Sequence, residues 1–251
     1  MTEIDREHPE FKRQKRMWQM YRDLYAGGEQ FKHRAAEYLL RRQKEPLDVY
    51  GERLQRAFYQ NYIGSIVDWY AATLFRRAPS LQFDSGLETG RKFLAEFADD
   101  CDRRGTNLAA FFKVCLINAL VCGRSHILID FPRTGERPAN RAEEDAAGMS
   151  RAYLVRYEAE DLINWSVDER GDYEWVVLRH SVTKQPSVDS TELVSETYWF
   201  YYDKEEFRTY RRIEKEHQTQ QPELIARGPH CLMRQRRVPL LTLKVSEGLW
   251  L

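Results

Sequence analysis

Apolar positions in the first half of the chain recur at helical spacing; in the second half they come in short, strand-length runs. Over 8–25, Phe11, Trp18, Tyr21, Leu24 and Tyr25 fall near one face, and Gly27-Gly28 closes the pattern. After a loop containing Pro46, a second pattern runs through Leu54, Phe58, Tyr62, Ile66, Trp69, Tyr70 and Phe75. It predicts one longer helix over 50–77, stopped by Pro79, with Gly64 marking a kink or a close helix contact. A helix over 86–104 carries Leu87, Phe93, Leu94 and Phe97 in a charged background and reads as a surface helix. The run 108–122 is apolar nearly all round, as a helix buried on most sides must be. Thr106 or Asn107 can cap its start, and Gly123 suits its C-terminal stop.

Beyond Gly123 the character changes. Ser125 to Phe131 reads as a short strand, and 132–150 is a polar stretch with two prolines and two glycines, expected to be a mobile loop or a functional insertion. Strands are predicted over 151–157, 164–167, 173–181, 196–202, 207–213, 223–226 and 238–245, with turns at Gly171-Asp172 and Asp203-Lys204 and a polar loop over 183–191. The expected fold class is therefore α+β. About four helices in 1–123 pack on a β-rich part, 124–251, of the same domain. No internal repeat or low-complexity tract is visible.

Composition narrows the function classes. The 251 residues are 42% apolar and 13% aromatic, which excludes a disordered chain and gives enough apolar surface for a core without staples. Lys+Arg and Asp+Glu both number 39, so the net charge is zero, unlike a protein that coats nucleic acid by itself. The four cysteines, Cys101, Cys115, Cys122 and Cys231, form no CxxC pair, and a reducing compartment fits them. No signal-peptide core follows Met1, and the longest apolar run is shorter than the ~20 residues a bilayer needs, so a soluble protein without membrane contact is expected. The apolar end, Gly248-Leu249-Trp250-Leu251, reads as a boundary past which a full protein continues as an amphipathic helix.

Candidate chemistry is sparse. Histidines stand at 8, 33, 126, 180, 217 and 230, with no HExxH or HxH. Cys122-Gly123-Arg124-Ser125-His126 lacks the spacing of a nucleophile elbow and reads as a helix stop before a buried strand. Phosphate-cradling glycine loops are absent. Glu160-Asp161 is expected to be a solvated pair on a turn. No catalytic, cofactor or metal residues are assigned. An enzyme would have to use His126 or His180 beside carboxylates.

Nucleic-acid contact is the other chemistry to weigh. Arg208, Arg211 and Arg212 follow the aromatic block Tyr198 to Tyr202, and Arg234, Arg236 and Arg237 form a second basic cluster. Arginines beside aromatic platforms can stack single strands. However, Phe207, Thr209, Arg211 and Ile213 share one strand face while Arg208, Tyr210 and Arg212 share the other. That mixture favours a β-meander with its aromatics on a core. A third cluster, Lys12 to Arg16, has acidic neighbours and reads as a solvated helix face.

Several segments stand out when taken in order: His8-Pro9-Glu10-Phe11 with Trp18 and Arg22-Asp23; Tyr50-Gly51-Glu52-Arg53-Leu54 through Asn61 to Leu74-Phe75-Arg76-Arg77-Ala78-Pro79; and Gly123-Arg124-Ser125 leading into Ile127 to Pro132. Together they resemble tailed-phage portal proteins, specifically a portal-like family formerly catalogued as a domain of unknown function. Tyr157 to Trp165 and Val238-Pro239-Leu240-Leu241 are similar to steps of the portal wing. The resemblance implies a structural subunit of a homo-oligomeric ring, generally dodecameric, at the capsid vertex of a virion or prophage. Its partners would be further copies of itself, the terminase, capsid and head-completion proteins, and double-stranded DNA passing through during packaging and ejection. Stem, clip and crown are missing from this length, which leaves the wing portion. A stand-alone nucleic-acid-binding module is the alternative.

Overall fold

The computed structural model describes residues 3–79, 88–132, 151–185, 187–188, 193–215, 218–219 and 221–245. The 132–150 loop beyond Pro132, His217 and the 248–251 end lie outside the described residues. The helical part comprises α1 (Pro9–Ala26), α2 (Gly28–His33), α3 (Ala35–Tyr38), α4 (Leu47–Arg56), α5 (Tyr62–Leu74), α6 (Glu88–Asp99) and α7 (Leu108–Cys122). The β part contains β1 (Arg124–Asp130), β2 (Tyr153–Tyr157), β3 (Leu162–Val167), β4 (Tyr173–Lys184), β5 (Val194–Asp203), β6 (Glu206–Lys215), β7 (Gln218–Thr219), β8 (Glu223–Pro229) and β9 (Leu240–Lys244). The fold is α+β, with a helical N-terminal half and two antiparallel sheets in the C-terminal half.

The sheets have the orders β2-β1-β9 and β3-β4-β5-β6-β7, with β8 also paired to β6. They face one another through Leu128, Tyr157 and Leu240 on the small sheet and Leu162, Val176, Leu178, Tyr202 and Phe207 on the large one. The other face of the small sheet presents Ile127, Ile129, Leu154 and Leu243 to Cys101, Leu108, Phe111 and Cys115. The other face of the large sheet presents Val177 and Trp199 to Phe11 and Trp18 of α1, joined there by Val121 and Cys122 at the end of α7. Strands β1 and β4 therefore bury both of their faces in their middles, which explains their near-continuous apolar runs.

Helix α7 begins and ends as its sequence requires. Asn107 Oδ1 accepts a hydrogen bond from the Ala110 amide, and Gly123 takes the left-handed conformation (φ 78°) that turns the chain into β1. Buried residues recur all along it, from Leu108 to Cys122.

The single helix expected over 50–77 is two. Asn61 breaks it, because its side chain caps α5 (Oδ1 accepts from the Gly64 amide at 2.8 Å) while its Nδ2 donates to the Tyr25 carbonyl at 2.6 Å. Gly64 marks a close contact and not a kink, since a Cβ there would stand 2.8 Å from that same Tyr25 carbonyl. The helix expected over 86–104 is described over Glu88–Asp99, followed by a turn held by Asp100 and Asp102. The short helices α2 and α3 and the strand β7 were not read from the pattern, being too short to show a period.

Phe11 is 1% exposed and occupies the seam between α1 and the large sheet. Phe11→Ala is expected to cost about 3–5 kcal/mol of stability, because the rigid sheet cannot collapse into the space. A chemical-denaturation midpoint close to that of the unaltered chain would contradict this packing.

Candidate functional site

Three of the segments that carry the sequence motifs meet at one junction between the halves, and a fourth, at Pro239, pairs with β1 in the small sheet. Arg22 on α1 reaches the turn between β2 and β3: Nε donates to Glu160 Oε1 at 2.5 Å and a terminal nitrogen to Glu160 Oε2 at 2.8 Å, with Glu158 2.9 Å away. The His8 amide donates to the Ile163 carbonyl at 2.8 Å, and its ring stacks on Trp165 with centroids 4.0 Å apart. Arg124, just past Gly123, donates to Glu10 at 2.6 Å and lies over the Trp18 ring. The Pro239 carbonyl accepts from the Ile129 amide at 2.8 Å. These charged groups are satisfied by one another, so the junction positions the two halves and offers no open reactive group.

Glu160-Asp161 is therefore not the solvated pair expected from sequence. Glu160 is held by Arg22, and Asp161 Oδ2 accepts from the Glu158 amide at 2.7 Å. Burial pushes the Asp161 carboxyl up to about 6, against the opposing effect of that hydrogen bond. A second buried carboxylate, Asp23, is fully enclosed and accepts from Gln19, Gln30 and Tyr38, with Arg34 Nε at 3.3 Å. Burial opposes its charge, but the three hydrogen bonds and Arg34 overcome this and hold its pKa below the usual carboxylate value. Asp23 thus ties α1 to α2 and α3.

The histidines weighed for catalysis lie apart from any such constellation. His126 is fully buried on β1, Nδ1 lies 2.9 Å from Thr242 Oγ1, and burial with the nearby charges of Arg124 and Lys244 depresses its pKa to about 3. It is neutral and bonded to a hydroxyl, not a carboxylate. His180 is exposed on β4, and among the described residues no hydrogen bond joins it to a carboxylate. Cys101, Cys115 and Cys122 are buried, and burial raises their thiols to about 11, 11 and 12, far from a reactive thiolate. Among the described residues no group of His, Cys, Asp and Glu could hold a metal ion.

The six candidate nucleic-acid arginines do not form one patch. Arg208 and Arg212 lie on the α1-side face of β6, and each is engaged. Arg208 donates to Glu206 at 2.6 Å and covers Tyr201; Arg212 pairs with Glu214 at 2.6 Å, faces Asp5 at 3.8 Å and covers Trp199. Arg211 projects from the opposite face of the same strand. Arg234, Arg236 and Arg237 lie on the exposed turn between β8 and β9 and make no ion pair among the described residues. The aromatic block is divided in the same way. Trp199 packs against α1 and Tyr201 borders the α1-side core, whereas Tyr202 enters the core between the sheets. An open cleft of about 470 Å³ remains beside Arg208, lined by Trp175, Tyr201, Tyr210 and Asn164.

The feature that sequence reasoning missed lies on α5. Its apolar period implied a core face, yet only Gly64 and Ala71 are buried. Tyr62, Ile63, Ile66, Trp69, Tyr70 and Leu74 are between 44% and 63% exposed, and Phe58 just before the helix is 84% exposed. Helix α4 has no buried residue at all. The signal was present in the composition of 62–74, where Asp68 is the single ionisable side chain besides the tyrosines, but the period cannot say which of two apolar arcs faces inward.

No protein-family model matches the sequence, and no curated protein matches it either. No helix among the described residues is long and apolar enough to cross a membrane.

The Asp161 pKa gives a pH signature. The folded state holds this proton more tightly than the unfolded chain, whose Asp titrates near 3.9, so the group's charge costs stability progressively as pH rises from about 4 to 6. Asp161→Asn is expected to leave stability unchanged below pH 4 and to raise it by about 1–2 kcal/mol at pH 7. Urea unfolding at the two pH values reads the difference; equal gains at both would refute the assignment.

Proposed function

We propose that the chain is the wing portion of a tailed-phage portal protein, a structural subunit of the head–tail connector, and not an enzyme. The observation that supports this best is the convergence at the junction. The 8–22 motif is joined by direct bonds that fix shape to Arg124 and to the 157–165 motif, each more than a hundred residues away. Groups that bond one another in this way serve geometry. On this reading the chain acts in a homo-oligomeric ring at the capsid vertex, engages terminase, capsid and head-completion proteins there, and lets double-stranded DNA pass through. Zero net charge suits that passage, since a strongly cationic lining would hold phosphates through counterion release. The test is electron microscopy of the protein produced together with a tailed-phage terminase. The expected result is a closed ring with a central channel that retains the terminase on purification. Discrete particles without a channel, or turnover of a small molecule, would overturn the proposal.

One observation favours the nucleic-acid alternative: Arg234, Arg236 and Arg237 are exposed and free of ion pairs among the described residues. The two readings separate on the triple substitution of these arginines by glutamate. If the chain is a portal subunit, the affinity for duplex DNA at low salt is weak and is expected to change by less than about threefold. A stand-alone binder instead loses affinity by about a hundredfold or more, and its salt dependence falls by about three phosphate contacts.

A further inference from the structure

Helix α5 is attached through Gly64, Ala71 and the partly buried Val67, and shows its largest residues to solvent. At 100° per residue, Tyr62, Ile63, Ile66, Trp69, Tyr70 and Leu74 fall within an arc of about 140°. Gly64 and Ala71 occupy the opposite side, where the helix abuts the end of α1 at the Tyr25 carbonyl. The only carboxylate of the helix, Asp68, is away from the arc and accepts a hydrogen bond from the Tyr25 hydroxyl at 2.7 Å. The arc therefore carries three rings and three branched chains along the helix and no charge.

Its size indicates what covers it. From the areas typical of aromatic and aliphatic side chains at these exposures, the arc with Phe58 presents roughly 700 Å² of apolar surface. That exceeds the ~300–600 Å² of the largest patch on an ordinary monomer. It is close to the ~800 Å² that each partner gives to a stable protein–protein interface. Its chemistry selects among occupants. A nucleic acid or an anionic membrane surface needs cations, and the arc has none. Aromatic-rich, charge-free surfaces are those of the cores of homo-oligomer contacts. Two copies can bring such surfaces together without placing like charges opposite one another or burying an unpaired one.

We propose that the outer face of α5, with Phe58 at its N-terminal end, is the contact through which copies of this chain associate. The inference rests on the reading of the chain as an assembling subunit, and adds where the subunits meet. The test compares the unaltered chain with the double variant Ile66→Glu/Trp69→Glu and with a control, Lys92→Glu, on the exposed side of α6. Sedimentation velocity and light scattering across a hundredfold concentration range give the stoichiometry, and circular dichroism with thermal melting checks that each variant folds.

The unaltered chain and the control are expected to self-associate, and the double variant to remain a folded monomer, with association weakened by at least about a hundredfold, as for loss of a central apolar anchor. If the double variant misfolds, the single variant Tyr70→Ser, which places no charge in the arc, reads the same weakening. Association that survives the substitutions overturns the inference and leaves the portal reading standing. A chain that stays monomeric at all concentrations also overturns it, the arc then belonging to a partner of different sequence. A closed dimer held by α5 supports the inference and sinks the ring, whereas a ring that dissociates on the double substitution supports both.

Discussion

The grip of Arg22 on Glu160 and Glu158 fixes how the helical half sits on the β half. Two carboxylates around one guanidinium, partly shielded from water, add little net stability, because desolvation offsets most of their attraction. What they supply is geometry. The fork of the guanidinium matches the Glu160 carboxylate at two points, so α1 cannot slide or rotate on the turn between β2 and β3 without breaking both bonds. The apolar contacts of Phe11 and Trp18 with Trp199 and Val177 give the energy; the Arg22 fork, the His8–Trp165 stack and the Arg124–Glu10 bond give the register. Asp23, next to Arg22, extends the constraint to α2 and α3 by accepting from Gln30 and Tyr38. The placement of every helix before α4 therefore traces to the end of α1.

Much of this fold was legible wherever a residue's local chemistry matched its tertiary role. Helix α7 was bounded correctly by Asn107 and Gly123, because a cap and a left-handed stop are properties of the chain itself. The strand centres were found because burial on both faces leaves continuous apolar runs. The α4–α5 break was not legible. Asn61 reads as one more polar residue in a helix until the Tyr25 carbonyl, thirty-six positions away, is placed beside it. The same holds for Glu160, which looks solvated until Arg22 of α1 grips it, and for Arg212 of β6, which faces Asp5 of the N-terminal segment. Long-range partners decide whether a charge is a surface group or a joint, and neither periodicity nor composition encodes them.

At the α1 junction and on α5, polar and apolar residues thus exchange their usual positions. Charges that a surface would display are turned inward at the junction, while aromatic residues that a core would hold stand outside on α5. Exchange of this kind is costly for a monomer. Exposed apolar area returns nothing to folding, and the α5 attachment through Gly64 and Ala71 buries little side-chain surface. The two halves of the exchange have different consequences: inward charges make one rigid shape, and an outward apolar helix makes that shape incomplete. A rigid shape with an open apolar side is what a repeating assembly needs from its subunit.

If copies associate through α5 as proposed, stability and assembly are linked in this chain. A contact that covers α5 buries surface the isolated fold leaves wet, so each association event lowers the free energy of the assembled copies relative to the unfolded chain. Helices α4 and α5 are then weakly held in the isolated copy, since α4 has no buried residue and α5 only two small ones with Val67 partly buried. The α1–sheet junction gains nothing from association because its groups are already satisfied. Local opening of the free chain accordingly includes 47–74 and spares 9–26. The protection gained on assembly is confined to the same stretch, a difference that hydrogen exchange of free and assembled copies resolves segment by segment.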